Sequence, residues 1–484
     1  MKHYLGISAG FHDAAATVIN DCGNVVYAGH AERYSKIKND PNIHQDMIWE
    51  LAEGRHIDHI AYYETPWKKQ LRQWYSGQGI EWNKLTTHQI VRQQLKGYFD
   101  NVPITAYNHH LSHAAAGFQT SPFLSATVVV IDAIGEWDTI SIWAAEYKNK
   151  KAVYKKLWGQ KYPKSIGLFY SAITERIGLR PMEDEYITMG MSAYGEAKYT
   201  DTMRILADEN LHIGIDHMFL PTAEHADIAA SAQAVAEELI YSVMRRARAY
   251  NYSKNLVYMG GVALNCLANR NLGEYFEKVW IMPNPGDAGS SLGAAALAYG
   301  GRINFTNAFL GTDIPGAYPV NDIISSLLRD KICGVASGRA EFGPRALGNR
   351  SLLADPRGND IKDRVNVIKR RQQFRPFAPV ILEEFVNEYF DMPSGWTSSR
   401  YMQIVGRCRM RNLFPAIVHV DGTSRIQTVP ADGSGIRQLL EAWYKATGCP
   451  MLLNTSLNIR GEPMVNDRQD ADRFEQLYNL KVHS

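Results

Sequence analysis

Residues 3–20, HYLGISAGFHDAAATVIN, decide how the rest of the chain is read. An apolar strand, HYLGIS, runs into a turn, AGFHD, and a second apolar run, AAATVIN, leaves it. NVVYAGHAERYS, residues 24–35, adds a third. Glycine with Asp or His at such a turn points backbone N–H groups toward an anion. The same logic returns at residues 126–147, ATVVVIDAIGEWDTISIWAAEY. A third copy, NLVYMGGVALNCLANR at 255–270, carries a strand into Gly260-Gly261 and then a helix, whose first amides face the turn. The small-residue helix DAGSSLGAAALAYG, 287–300, continues it. A glycine after a strand is most often only a turn, so no single copy carries an assignment.

Together, two anion-binding hairpins followed by a Gly-Gly loop resemble the order found in the sugar kinase, actin and Hsp-type chaperone superfamily. That resemblance implies a nucleotide site at Gly260, Gly261 and Asn265.

The run AYNHHLSHAAAGF, residues 106–118, places His109 and His113 four apart. On a helix this spacing puts both imidazoles on one face, where they reach one metal ion. Asp132 ends an apolar strand and Asp287 lies in NPGDAGSS. Two histidines with two carboxylates suit Fe(II), Mn(II) or Zn(II). Taken alone, the pair is more simply read as a strand cap and a satisfied core histidine, because the spacing is common.

A chain of 484 residues is long for one domain. With 45% hydrophobic and 21% charged residues it can bury a large core. The net charge of +2 gives no global pull toward nucleic acid or membrane. Five scattered cysteines without a CxxC suggest neither a disulfide framework nor a thiolate metal site, and fit a reducing cytosol. MKHYLGISAG lacks a signal peptide's apolar core, and no run reaches 18 apolar residues, so a cytoplasmic protein without a membrane span is expected.

GRINFTNAFLGTDIPGAYPV, residues 301–320, reads as an interdomain connection, and a new αβ pattern starts at DIISSLLRDKICGVASG. Domains are therefore expected at 1–305 and 321–484. The second opens with ASGRAEFGPRALGNRSLLADPR and IKDRVNVIKRRQQFRPFAPVI, which cluster Arg339, Arg345, Arg350, Arg357, Lys369, Arg370, Arg371 and Arg375. Arginine forks and a lysine point charge suit phosphate oxygens. In LLNTSLNIRGEP, Asn454, Thr455, Ser456 and Asn458 offer short polar groups after an apolar strand. The blander reading is a solvated basic face and a polar turn.

These segments resemble the NodU/CmcH/TobZ carbamoyltransferase family. The matching stretches are HHLSHAAAGF, GLFYSAITERIGL, DEYITMGMSAYG, MGGVALNCLAN, NPGDAGSSLGAA, GRAEFGPRALGNRS, FRPFAPVI, HVDGTSRIQTV and LLNTSLNIRGEPMV, in family order across nearly the whole chain. GMSAYG and NTSLN depart from the commoner GLAPYG and NTSFN. The resemblance implies an α/β protein: an N-terminal actin-like (TsaD-like) domain of two subdomains and a C-terminal YrdC-like α/β domain. It implies that the C-terminal domain joins carbamate from carbamoyl phosphate to AMP, using ATP with Mg(II). Arg345, Arg350, Lys369, Arg371 and Arg375, with Asn454, Thr455 and Ser456, would hold these substrates. The N-terminal domain would then pass the carbamoyl group to an acceptor hydroxyl. His109, His113, Asp132 and Asp287 would be its metal ligands and His12 its catalytic histidine. Partners are thus carbamoyl phosphate, ATP and a hydroxyl acceptor, with a homodimer as an open option.

The acceptor is a sugar or antibiotic-like hydroxyl by resemblance. YYETPWKKQLRQWYSGQGIEWNKL, residues 62–85, interleaves Trp67, Trp74, Tyr75 and Trp82 with Lys68, Lys69, Arg72 and Lys84. This pattern suits a hydroxymethylated nucleobase, free or in DNA, but more simply an amphipathic helix with its aromatics turned inward. Three rival readings remain: threonylcarbamoyl transfer to tRNA, a sugar kinase, and a non-catalytic actin-like or chaperone-like ATP module.

Overall fold

The structure, a computed structural model, describes every residue except His217. It separates into two compact units, one of residues 1–8, 17–25 and 55–305, the other of 9–16, 26–54 and 306–484. The domains expected at 1–305 and 321–484 are continuous, whereas these units are not. Within the second unit, the Arg33 guanidinium donates to the Gly343 carbonyl at 3.1 Å and the Tyr34 and Thr312 hydroxyls meet at 2.8 Å. Such pairings over nearly 300 residues tie residues 26–54 to the C-terminal part. The connection expected at 301–320 contains a strand, Phe309–Ile314, antiparallel to Gly338–Glu341.

The first unit builds one strand arrangement twice. Ala15–Asn20, His3–Ser8, His59–Tyr62 and Ile104–Ala106 lie side by side, the last three parallel. In the second sheet Lys151–Lys161, Asp138–Lys148 and Ser125–Gly135 are antiparallel, and Asn255–Met259 and Lys278–Trp280 continue in parallel. Counted in chain order with Val25–His30 as the third strand, the first runs 2-1-4-5 and the second 3-2-1-4-5. Residues 126–132 are buried without alternation, as in a strand covered on both faces.

Two nearly all-buried helices, His109–Thr120 and Ser290–Tyr299, pack on each other. Their small residues permit it. A Cβ on Gly293 would overlap the Ser112 carbonyl oxygen, and one on Gly6 would overlap that of Ser291. Ser112 sits between His109 and His113, so this close approach fixes the histidine face.

The second unit is a six-stranded mixed sheet in the order Gln427–Val429, Ala378–Leu382, Met451–Ser456, Arg350–Ala354, Ile332–Ala336, Val482–His483. Helices Val320–Asp330 and Gly435–Thr447 pack over it through Leu327, Leu439, Leu440 and Trp443. The tight loop 342–350 folds around one buried carboxylate. Glu341 Oε1 accepts the N–H groups of Leu347, Asn349 and Arg350 at 2.8, 2.9 and 3.2 Å. Among the described residues no helix is long and apolar enough to cross a membrane.

Candidate metal centre and anion site

Asn108 caps the helix that carries the histidines, its side chain accepting the Leu111 N–H at 3.1 Å. The cap makes His109 the first helical residue, and one turn later His113 falls on the same face. Their Nε2 atoms lie 3.1 Å apart. Asp132, within the strand Ser125–Gly135, reaches His109 Nε2 at 3.3 Å and His113 Nε2 at 3.9 Å. Asp287, at the start of a short 3₁₀ turn, reaches them at 3.4 and 3.2 Å. All four ligand atoms fit within 4.8 Å.

This geometry fits a cation. Metal–ligand bonds of about 2.1 Å place neighbouring ligand atoms roughly 3.0–3.4 Å apart, and the separations above fall in that range except His113 to Asp132 at 3.9 Å. A buried carboxylate, Asp132, and a half-buried one, Asp287, beside two imidazole nitrogens also need a shared positive charge. Burial alone would disfavour a charged His109, yet Asp287 and hydrogen bonds with Asp132, Asp287 and Glu64 hold its pKa well above the usual histidine value. Burial and Asp287 push Asp132 up, yet His109 and His113 bring it below the usual carboxylate value. Both shifts express one attraction. His110 differs: burial, then the His109 charge, pushes its pKa well down, and its Nδ1 lies 2.7 Å from Ser141 Oγ. It faces away from the ligand set.

Two glutamates that sequence reasoning missed support the cluster. Glu64 Oε2 lies 3.4 Å from His109 Nδ1, and its other oxygen accepts from Lys69 Nζ at 2.7 Å. This contact aims Nε2 at the cluster, the usual second layer of a histidine ligand. Glu136 accepts the N–H groups of Thr65 and His109 at 2.7 and 3.3 Å, and the Asn108 amide at 2.9 Å. Their only sequence signal is an acid ending an apolar strand. Among the described residues the buried His113 Nδ1 has no hydrogen-bond partner.

At the Gly-Gly loop, Gly260 has φ +92°, and a Cβ there would overlap the Ile131 carbonyl. The Gly261 N–H donates to Asp132 Oδ1 at 3.1 Å, leaving Oδ2 toward the histidines. Asn265 caps the next turn through the Ala268 N–H and exchanges hydrogen bonds with Gln233, both at 3.1 Å. These bonds hold the Asn265 side chain between its own turn and Gln233.

His12 lies in the second unit, with its ring 5.0 Å from that of Phe11. The adjoining Asp13 pairs with His30 Nδ1 at 3.2 Å.

The basic cluster of the second unit separates into two groups. Lys369, Arg371 and Arg375 are mutually close. Burial, then Arg371 and Arg375, pushes the Lys369 pKa well below the usual lysine value. Lys369 Nζ donates to the Ser456 carbonyl and hydroxyl and to Asn458 Oδ1, at 2.5, 3.0 and 2.6 Å. Arg371 donates to Asn366 Oδ1 at 2.6 Å and stacks 4.0 Å over Phe377. Asn454 and Thr455 precede Ser456 on the same strand, and the Asn454 amide donates to Gln427 Oε1 at 2.7 Å. Arg345 is half-buried in the loop built on Glu341. The solvated-face reading does not hold for Lys369, which is 4% exposed.

Arg350 requires a correction. It is fully buried, and its guanidinium donates to the carbonyls of Asn466, Ser337, Gly338, Asn349 and Thr312 at 2.9–3.2 Å. It ties strands together and has no access to a phosphate. Arg339 likewise serves the carbonyls of Gly311, Val26 and Leu310, and Arg357 forks onto Asp355.

Two family models match the chain: "Carbamoyltransferase N-terminus" over residues 52–213 and 213–296, and "Carbamoyltransferase C-terminus" over 324–482. The chain belongs to the carbamoyltransferase family and is an enzyme of that class. It is 32% identical to the uncharacterized protein sll1178 of Synechocystis, over 98% of this chain and 94% of the relative. It is 31% identical to the nodulation protein NolNO of Sinorhizobium fredii, over 95% and 76%. Among solved structures, full-length HypF in its phosphate- and nucleotide-bound form aligns at 14% identity and TM-score 0.34, over 62% of this chain and 55% of that one.

Proposed function

We propose that the protein is an ATP-dependent O-carbamoyltransferase working through carbamoyl adenylate. The observation that carries this reading is the convergence of His109, His113, Asp132 and Asp287 in a chain of the carbamoyltransferase family.

The C-terminal region, 321–484, is read as a YrdC-like adenylate-forming part. Lys369, Arg371 and Arg375 hold phosphate oxygens, Arg345 adds a fork from its loop, and Thr455 and Ser456 border the nucleotide. Arg350 is left out. Water and carbamoyl phosphate give phosphate and carbamate. A carbamate oxygen attacks the α-phosphorus of ATP, whose Mg(II) accompanies it, and pyrophosphate leaves.

The region 1–305 is read as an actin-like, TsaD-like transfer part, supported by the strand arrangement built twice. An acceptor oxygen attacks the carbamoyl carbon, the bond to the adenylate oxygen breaks, and AMP leaves. His12 takes the hydroxyl proton, a task suited to an imidazole near neutral pH. His109, His113, Asp132 and Asp287 would hold Fe(II), or Mn(II) or Zn(II), which supplies Lewis-acid polarisation of a carbonyl when bound. Glu64 keeps His109 oriented for this, and the Gly261 N–H does the same for Asp132.

The test is the product balance. Purified enzyme should form AMP and pyrophosphate from ATP only with carbamoyl phosphate. The same products from threonine and bicarbonate without carbamoyl phosphate would establish threonylcarbamoyl chemistry. ADP with a phosphorylated acceptor would establish a kinase, and no turnover with no bound metal a non-catalytic module.

A further inference from the structure

The helix Pro66–Tyr75 turns Trp67, Leu71, Trp74 and Tyr75 to solvent and Lys69, Gln70 and Arg72 to the interior. The inward packing of aromatics considered for this segment is thereby overturned. Two cations buried on one helix face each need an anion. Lys69 has one, donating to Glu64 at 2.7 Å. Arg72, three residues on and 3% exposed, does not. Among the described residues its guanidinium makes no ion pair and one hydrogen bond, from Nη1 to Gln78 Oε1 at 3.2 Å, and its buried Nε has no partner. Burial lowers its pKa, and Glu64 and Tyr162 offset that only in part. Arg350, also buried, meets five carbonyls and is a structural tie. A buried guanidinium left with one neutral acceptor is instead short of a counter-charge.

The surroundings of Arg72 say which anion fits. Gln78 Nε2 lies 3.4 Å from His212 Nε2, so one neutral amide bridges Arg72 and His212. Burial, then the Arg72 charge, lowers the His212 pKa, which leaves this imidazole neutral near neutral pH. The site thus carries a single positive charge, the match of one carboxylate, whose planar pair of oxygens fits the guanidinium fork. The His212 ring lies edge-on to Tyr162 at 5.8 Å, Tyr162 lies 6.5 Å from Tyr75, and Tyr75 lies 5.5 Å from Trp137. These rings set apolar surface beside the charge. Gln78 is carried by an exposed turn between Gly77 and Gly79, and a Cβ on either glycine would meet nothing within 4 Å. Its amide can therefore swing away without disturbing packed atoms.

We propose that Arg72, beside His212, binds the carboxylate of a small organic acid in place of the Gln78 carbonyl, with the apolar body of the acid against Tyr162 and Tyr75. The site is separate from the four candidate metal ligands and from the Lys369 group, and it does not rest on the carbamoyl-transfer reading.

Fluorine NMR of the full-length protein with 4-fluorobenzoate tests it, with uncharged 4-fluorobenzamide and inorganic phosphate as comparison probes. The benzoate should bind and raise the melting temperature as its concentration rises. The benzamide should bind about tenfold more weakly, and phosphate should not displace the benzoate. Arg72→Met should lose the binding, and without ligand it should melt at the same temperature or higher, because it removes a buried unpaired charge. Gln78→Ala should bind the benzoate more tightly, since no amide then occupies the guanidinium. No binding of the benzoate by the unsubstituted protein overturns the site, as does binding retained in Arg72→Met. Arg72→Met that melts lower or fails to fold makes Arg72 a structural tie and overturns it as well. Unchanged or weaker binding in Gln78→Ala places the ligand elsewhere. Displacement of the benzoate by phosphate overturns the carboxylate class.

Discussion

At the scale of single residues, the cluster around His109 and His113 depends on groups outside the four candidate ligands. Glu64 fixes the His109 ring through Nδ1 while Lys69 satisfies its other oxygen. Glu64→Gln should therefore weaken Fe(II) or Zn(II) binding about 10–100-fold in metal titrations, with the four ligands intact. His113→Ala should abolish stoichiometric metal measured by plasma emission and abolish acceptor carbamoylation. Lys369 makes a different statement. Burial, then Arg371 and Arg375, holds its free-state pKa well below the usual value, and a bound phosphate would raise it. The complex then carries more proton than the free protein, so binding takes up protons. Affinity for inorganic phosphate is complete below the free-state pKa and falls as pH rises toward the bound-state pKa. Calorimetry over a pH series that starts below the free-state pKa should show that decline, and Lys369→Met should flatten it.

At the scale of elements, close packing decides where chemistry can sit. The helices His109–Thr120 and Ser290–Tyr299 touch through backbone at Ser112 and Gly293. Gly293→Ala must push the Ser112 carbonyl away. It should cost about 1–3 kcal/mol of stability. It should also lower metal affinity, because Ser112 lies between the ligands. Thermal melting and metal titration of one sample check both. In the other unit, Arg350 joins the strand that carries it to the segments at Thr312, Ser337 and Asn466. Arg350→Leu leaves those carbonyls buried and unpaired, and should cost about 3–5 kcal/mol. A normal melting temperature with lost phosphate binding would return Arg350 to the anion site.

At the scale of the molecule, the proposed reaction divides into two half-reactions served by different residue sets. Lys369→Ala should fail to release pyrophosphate from ATP and carbamoyl phosphate. Chemically supplied carbamoyl adenylate should restore its transfer to acceptor. Loss of both half-reactions in the folded variant would show that one residue set serves both.

Much of the site was legible in sequence where its geometry is local. An i, i+4 histidine pair needs only a helix, and Asn108 starts one in the right place. The turns at Gly10 and Gly260 needed only glycine's freedom at φ +92°. Asp132 was legible as an acid ending an apolar strand, whereas no local pattern ties it to Asp287, 155 residues further on.

The sequence by itself determined the family through the likeness of its motifs, and the α/β character, the histidine pair and the basic C-terminal cluster through periodicity and spacing. Only the tertiary structure decided which cations are buried supports, which glutamates stand behind the ligands, which face of 66–75 meets solvent, and which segments pack together. The reason is physical. A guanidinium is a phosphate ligand or a structural tie according to the carbonyls that surround it. Those carbonyls lie up to 116 residues from Arg350.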